Sequence, residues 1–314
     1  ADVTAKTEAV IGDDAIFASN TSTLPITGLA KASKNPEQFI GIHFFSPVDK
    51  MALVEVIVGE QTGEVAIAQA LDYIQQIRKT PIVVNDSRGF YTSRVFGTYS
   101  KEGIMMLAEG VNPALVENVS KHAGMPVGPL AVTDEVSIEL SYHVLKMTKE
   151  GLGNDYVASS ADGVITKFIE ELDRKGKKSG KGFYDYPEDG RKHLWPGLAE
   201  HYPLADEQPD PEEVRKRILY VQAIDSVRCM DEGVVTHPAD ADIGSVFGWG
   251  FPPYTGGTIS FIETVGLSKF VAEADRLAEK YGARFAVPDS LRTKAKKGET
   301  FYGRADAESH RSAA

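Results

Sequence analysis

The sequence predicts an α/β fold that gives way to an all-α one. Three observations carry this. Short apolar runs alternate with helical spacing up to Asp86, helical spacing is almost continuous after Gly89, and one helical segment recurs later in the chain.

The elements follow in order. Ala1 to Gly12 carries no Met, places Ala5, Val10 and Ile11 loosely on one face, and stops at a glycine. The chain is therefore expected to begin inside a helix, as a fragment would. Ala15 to Ser19 reads as a short buried strand ending in the polar loop Asn20 to Thr23. Phe39 to Phe45 is a second apolar run, stopped by Ser46-Pro47, and Ala52 to Val58 a third, stopped by Gly59. Glu64 to Lys79 has apolar residues at helical spacing, and Pro81 to Val84 is a fourth strand. Strands that are apolar on both faces and mixed with helices describe an α/β sheet.

Thr92 to Glu109 is expected to be a helix ended by Gly110, and Asn112-Pro113 caps the next, which ends near Gly124. Thr133-Asp134-Glu135 is read as opening a helix that runs to about Glu150, its carboxylates at the positive end. The proline-rich stretch 173–209 looks like a connector, and Asp210-Pro211-Glu212-Glu213 restarts a helix. Arg94 and Glu109-Gly110-Val111 recur 123 residues later as Arg217 and Glu232-Gly233-Val234. Gly124-Met125-Pro126 is echoed by Gly250-Phe251-Pro252. One helical unit thus occurs twice, and the second copy is expected to pack on the first.

Composition narrows the function classes. The chain has 314 residues, 42% hydrophobic and 25% charged, which suits a folded chain of about two domains. A net charge of −11 lacks the footprint of a general nucleic-acid binder. Cys229 is the one cysteine, so neither an internal disulfide nor a thiolate-rich zinc site is expected. No apolar run approaches the ~20 residues of a membrane span, and no signal-peptide pattern is visible. Asn20-Thr21-Ser22 and Asn118-Val119-Ser120 are then read as chance sequons.

Two ionisable residues stand where the strands want apolar ones: His43 in Phe-Ile-Gly-Ile-His-Phe-Phe and Glu55 in Leu-Val-Glu-Val-Ile-Val. A carboxylate inside a strand is expensive unless paired, and each can be the other's partner. Such a pair makes a base near physiological pH. The ordinary alternative is a core histidine with satisfied bonds and an edge-strand glutamate facing water. Ser19 to Ser22 follows a strand, where α/β folds bind ligands, but is equally an ordinary turn. The basic run Arg174 to Gly182 fails as a nucleotide phosphate loop, because its spacing is one residue short and Gly182 follows the lysine. A solvated loop or a contact to an anionic ligand remains. Asp240-Ala241-Asp242 and the histidines 122, 143, 193, 201, 237 and 310 show no metal-site spacing, and Met105-Met106 reads as core.

The runs Phe17 to Leu24, Gly41-Ile42-His43-Phe44-Phe45-Ser46-Pro47, Leu53-Val54-Glu55-Val56, Asp86 to Phe90 and Ser179 to Tyr186 together resemble the 3-hydroxyacyl-CoA dehydrogenase family. The doubled helical segment resembles the longer form found in multifunctional α-subunits of fatty-acid β-oxidation. The resemblance implies a partial Rossmann-like NAD-binding domain at 1–86, a helical dehydrogenase domain at 87–193, a linker at 194–209 and a related helical domain at 210–314. It implies that His43 is the catalytic base, that Glu55 orients it, that Ser22 contacts the 3-oxygen of the substrate, and that Asn20 lies near the nicotinamide. Ser93 stands where the family usually has Asn, as a substrate contact.

The resemblance also implies NAD as cofactor, acyl-CoA as substrate, a thiolase or homo-oligomeric partner, and a cytoplasmic or organelle-matrix setting. The family's opening glycine-rich turn has no counterpart, since the sequence contains no G-x-G-x-x-G. Nor is there an upstream enoyl-CoA hydratase segment. The 314 residues alone are accordingly expected not to bind NAD productively, and a non-catalytic scaffold that packs subunits or binds acyl-CoA is the rival reading. A hydroxyacid dehydrogenase that does without CoA fits the His-Phe-Phe and Val-Glu-Val motifs less well.

Overall fold

The computed structural model describes residues 2–12 and 14–303; Ala1, Asp13 and the residues from 304 on, His310 among them, lie outside the described residues. Helix α1 (Asp2–Glu8) precedes β1 (Phe17–Ser19), α2 (Ile26–Ala30), β2 (Phe39–Phe44), β3 (Leu53–Val58), α3 (Glu64–Gln76) and β4 (Thr80–Asn85). Helices α4 (Thr92–Ala108), α5 (Pro113–His122), α6 (Pro129–Val136), α7 (Ile138–Leu152) and α8 (Ser160–Glu170) follow. The short strands β5 (Tyr184–Asp185) and β6 (His193–Leu194) come next. The helices α9 (Leu198–His201), α10 (Pro211–Asp231), α11 (Pro238–Trp249), α12 (Thr258–Val265), α13 (Leu267–Tyr281) and α14 (Asp289–Lys297) complete the order.

The chain groups into two compact units: the residues up to Phe96 with those from Gln222 on, and Gly97–Val221. The first unit is split in sequence: the chain leaves it within α4 and re-enters it within α10.

In the first unit the sheet order is β1-β2-β3-β4, with β2 and β3 antiparallel and the two outer pairings parallel. Ile40, Ile42, Val54 and Val56 share one face and pack on Ala66, Ala70 and Ile74 of α3. Alternation puts Gly41, His43, Leu53 and Glu55 on the other face. Gly41 is required there, since a Cβ would stand 2.8 Å from Ile26 of α2. Helix α11 lies directly against β3 and β4 on this side. It comes close through Gly244 and Gly248, where a Cβ would sit 2.8 Å from Ile82 and 3.0 Å from Leu53. Helix α11 of the second helical segment therefore lies on the sheet, while α10 of the same segment meets α4 of the first through the pairs Arg94–Glu232 and Arg217–Glu109.

The second unit is built around Leu107, Leu130, Ile138, Ala161, Phe168 and Phe183. Here the expected helix opening at Thr133-Asp134-Glu135 is displaced. Those residues close α6, and the chain breaks at Ser137, with φ 99°, whose side chain caps α7 by accepting from Leu140 N. The Asp134 carboxylate is used elsewhere: it accepts the Phe183 and Tyr184 amides at 2.8 and 2.9 Å. The basic run forms a turn. Arg174 is buried, donates to the Gly182 carbonyl at 2.6 Å and stacks on Trp195. Lys175, Lys177 and Lys181 face Glu139, Glu135 and Asp173.

Each unit contains the same hydrogen-bond arrangement. Glu117 of α5 accepts from Leu130 N and Tyr184 Oη, and Asp134 takes the amides of Phe183 and Tyr184. Asp242 of α11 accepts from Ile259 N and Tyr302 Oη, and Glu263 takes the amides of Phe301 and Tyr302. The ion pairs correspond as well. Arg94 bonds Glu232 and Asp225, and Arg217 bonds Glu109 and Glu102.

Arg217 and Glu102 are 1% and 0% exposed, with Nε donating to the carboxylate at 2.7 Å. Arg217→Met takes the cation from a buried carboxylate and should lower the unfolding free energy in urea titrations by about 3–5 kcal/mol. Adding Glu102→Leu should recover much of that loss.

Burial pushes the Asp134 carboxyl up to about 6. The folded chain thus holds this proton more tightly than the unfolded one, where the value is about 3.9. The stability it contributes is fully present below about 4 and is lost as pH rises through about 6. Measured against Asp134→Asn, the wild type should gain about 1–3 kcal/mol between pH 7 and pH 4. A gap that is constant or narrows on acidification contradicts the assignment.

Candidate functional site

His43 and Glu55 sit directly opposite each other in the antiparallel β2–β3 ladder. Cross-strand neighbours on one face are close enough to bond. Nδ1 of His43 is 2.9 Å from Glu55 Oε2, with the two residues 4% and 0% exposed. An ionised carboxylate only accepts, so in the neutral imidazole Nδ1 carries the proton and Nε2 the lone pair. Nε2 makes no hydrogen bond among the described residues. Phe45, 4.5 Å between ring centroids, and Phe90, at 6.0 Å, flank the imidazole and limit its rotation.

Glu55 is held by the start of α4. Its Oε1 accepts from the backbone amides of Tyr91 and Thr92, both at 3.0 Å, and its Oε2 accepts from Thr92 Oγ1 at 2.6 Å. The carboxylate stands at the positive end of α4, where N–H groups lack intrahelical partners. Gly89 at φ 75° and Phe90 at φ 51° make the turn that aims these amides at the strand. Tyr91 is anchored in turn: its hydroxyl reaches Ser226 Oγ, the Ala241 carbonyl and Thr258 Oγ1 within 3.2 Å.

The loop after β1 borders the pair. Asn20 Oδ1 accepts from the amide of Phe44, next to His43, at 2.9 Å, and the Thr23 carbonyl accepts from Gly89 N. Ser22 is exposed in this loop and makes no hydrogen bond among the described residues. Ser93 is half-buried in the first turn of α4 and bonds neither His43 nor Glu55. The structure thus brings His43, Glu55 and Asn20 together, with Ser22 on the same loop. Sequence reading missed Thr92 and the Tyr91 and Thr92 amides. The available signal was a threonine opening a helix just after a glycine turn.

A dinucleotide would find the polar loop Asn20 to Thr23 beyond the carboxyl end of β1, the usual ligand side of such a sheet. The first turn of α2 does not fit a pyrophosphate, because Ile26 N and Thr27 N already donate to the Asp86 carboxylate at 2.8 and 2.7 Å. Among the described residues no group of His, Cys, Asp and Glu is placed to hold a metal ion, and no helix is long and apolar enough to cross a membrane.

A 3-hydroxybutyryl-CoA dehydrogenase from Escherichia coli K12 has a similar fold, with TM-score 0.76 and 21% identity over 94% of this chain and 78% of that one. The dehydrogenase part of multifunctional enzyme 1 from C. elegans also shares the fold, with TM-score 0.64 and 24% identity over 93% and 67%. An (S)-3-hydroxybutyryl-CoA dehydrogenase from Ralstonia eutropha is 30% identical over 60% of this chain and 66% of its own length, with TM-score 0.55. Residues 1–87 match the family model "3-hydroxyacyl-CoA dehydrogenase, NAD binding domain", and residues 89–186 match "3-hydroxyacyl-CoA dehydrogenase, C-terminal domain". With both models matched in order over more than half its length, the chain belongs to the 3-hydroxyacyl-CoA dehydrogenase family of NAD-binding oxidoreductases.

Proposed function

We propose that this chain is the dehydrogenase part of a multifunctional fatty-acid β-oxidation enzyme, which oxidises (S)-3-hydroxyacyl-CoA to 3-ketoacyl-CoA with NAD⁺ and carries an enoyl-CoA hydratase elsewhere. One observation supports it most: the buried His43–Glu55 pair at 2.9 Å, with the second ring nitrogen left without a partner among the described residues. On this reading residues 1–86 are the NAD-binding part, and 87–193 and 210–314 are two related helical domains joined by 194–209. The matching hydrogen-bond arrangements around Glu117 and Asp242 support the duplication. The family's multifunctional members lead us to place it in the cytoplasm or an organelle matrix, as a homo-oligomer or with a thiolase partner.

In the proposed reaction, His43 Nε2 accepts the proton of the substrate's 3-hydroxyl. Glu55 holds the imidazole in the tautomer that leaves Nε2 free and stabilises the cation that forms. Ser22 donates a hydrogen bond to the 3-oxygen, and Ser93 offers a second polar contact. Asn20 would hold the reacting end of NAD beside the pair. Bound NAD⁺ supplies the hydride acceptor for C3.

The test is oxidation of (S)-3-hydroxybutyryl-CoA by the natural protein that carries this sequence, followed as NADH formation. His43→Gln should lower kcat by about 10²–10⁴-fold. Glu55→Gln should lower it by a smaller factor, because its amide nitrogen turns a donor toward groups that themselves donate. Full activity in His43→Gln would remove His43 as the base.

A further inference from the structure

The geometry points to Thr92 as a positioning residue for the dyad, and we propose that its hydroxyl fixes Glu55 Oε2 against His43 Nδ1. This rests on the reading of His43 as the base. Oε2 has two donors, the imidazole at 2.9 Å and Thr92 Oγ1 at 2.6 Å. The amides of Tyr91 and Thr92 take only Oε1. They fix one oxygen. The Thr92 hydroxyl holds the other, which is the oxygen that orients the base.

Thr92 itself is held. It is 1% exposed, and its backbone amide bonds the same carboxylate through Oε1. Its methyl group lies on Gly248 of α11, where an added Cβ would come within 3.3 Å of Thr92 Cγ2. A threonine on a helix divides between two χ1 rotamers, and the contact of its methyl with α11 selects one of them. That rotamer aims Oγ1 at Oε2. The next residue toward the amino terminus, Tyr91, is pinned through its hydroxyl to Ser226, Ala241 and Thr258. The donor and its backbone therefore move little as charge develops on the imidazole, which is what preorganisation requires.

The experiment compares Thr92→Val, Thr92→Ala and Thr92→Ser in the natural protein with (S)-3-hydroxybutyryl-CoA and NAD⁺. The valine and alanine variants should lose about tenfold in kcat with KM within about twofold of wild type. The serine variant keeps the hydroxyl and should restore kcat. A second readout needs no cofactor. The downfield proton resonance of His43 Nδ1–H should broaden and move upfield in Thr92→Ala and return in Thr92→Ser. If Thr92→Val fails to fold, the alanine–serine pair still isolates the hydroxyl. Wild-type kcat in Thr92→Ala overturns the proposal, whatever the resonance does. A tenfold loss that serine does not rescue also overturns it, since the loss then belongs to packing. If His43→Gln proves active, the reading of the base fails separately, and the resonance comparison still reports whether Thr92 holds the pair.

Discussion

The Glu55 carboxylate is the constraint around which the first unit is arranged. A strand residue with no exposed surface cannot leave a charge unpaired, and burying one without partners costs several kcal/mol. Four donors meet it, two from backbone and two from side chains. Each imposes a condition on the chain. The antiparallel β2–β3 register must set His43 opposite, and α4 must begin at Thr92 and no later. The turn before it must adopt positive φ at both Gly89 and Phe90. Phe90 has a side chain and meets this condition at a steric cost. A buried non-glycine residue in that conformation is tolerated where its surroundings over-determine it, and the amides that follow it are bonded to Glu55.

The same device recurs without the histidine. Helices α2, α6 and α12 have no local side-chain cap at their first residue. A carboxylate distant in sequence does the work instead: Asp86 for α2, Glu117 for α6 and Asp242 for α12. A distant cap satisfies orphan amides as a local one does, and it also ties two elements together. It leaves little room for side chains at the approach. Gly128 and Gly257 stand where a Cβ would run into Glu117 and Asp242. Acidic residue, glycine and capped helix form one unit of construction, present in each of the compact units.

Much of this was legible in the sequence, and what was not shares one cause. The strands showed as apolar runs, and His43 and Glu55 stood out because ionisable residues interrupt them. Arg94 and Arg217 stood out by recurrence, although their partners, Glu232 and Glu109, lie in each other's repeat. The break at Ser137 was hidden. Thr133-Asp134-Glu135 has the composition of a helix start, and only the amides of Phe183 and Tyr184, some fifty positions on, show what Asp134 is for. Thr92 was hidden for the same reason, since a threonine on a helix reads as ordinary until the glutamate facing it is known. The placement of α11 on the sheet depended on Gly244 and Gly248, whose meaning lies in Ile82 and Leu53. Local pattern reports an element, and a distant partner decides its use.

That contrast separates chemistry from construction. Glu117, Asp134 and Asp242 are buried as Glu55 is, and burial raises Glu117 and Asp134. Among the described residues their partners are backbone amides with tyrosine hydroxyls, joined at Asp242 by a serine. Burial pushes the Tyr184 and Tyr186 hydroxyls upward as well, so these groups stay protonated and donate throughout the neutral range. Such a site holds a helix in place. Glu55 differs in one partner. Its imidazole offers a second nitrogen that makes no hydrogen bond among the described residues, which is the geometry the proposed base needs. The capping geometry is common to all of these sites. Reactivity enters where one of the donors to a buried carboxylate is itself a base.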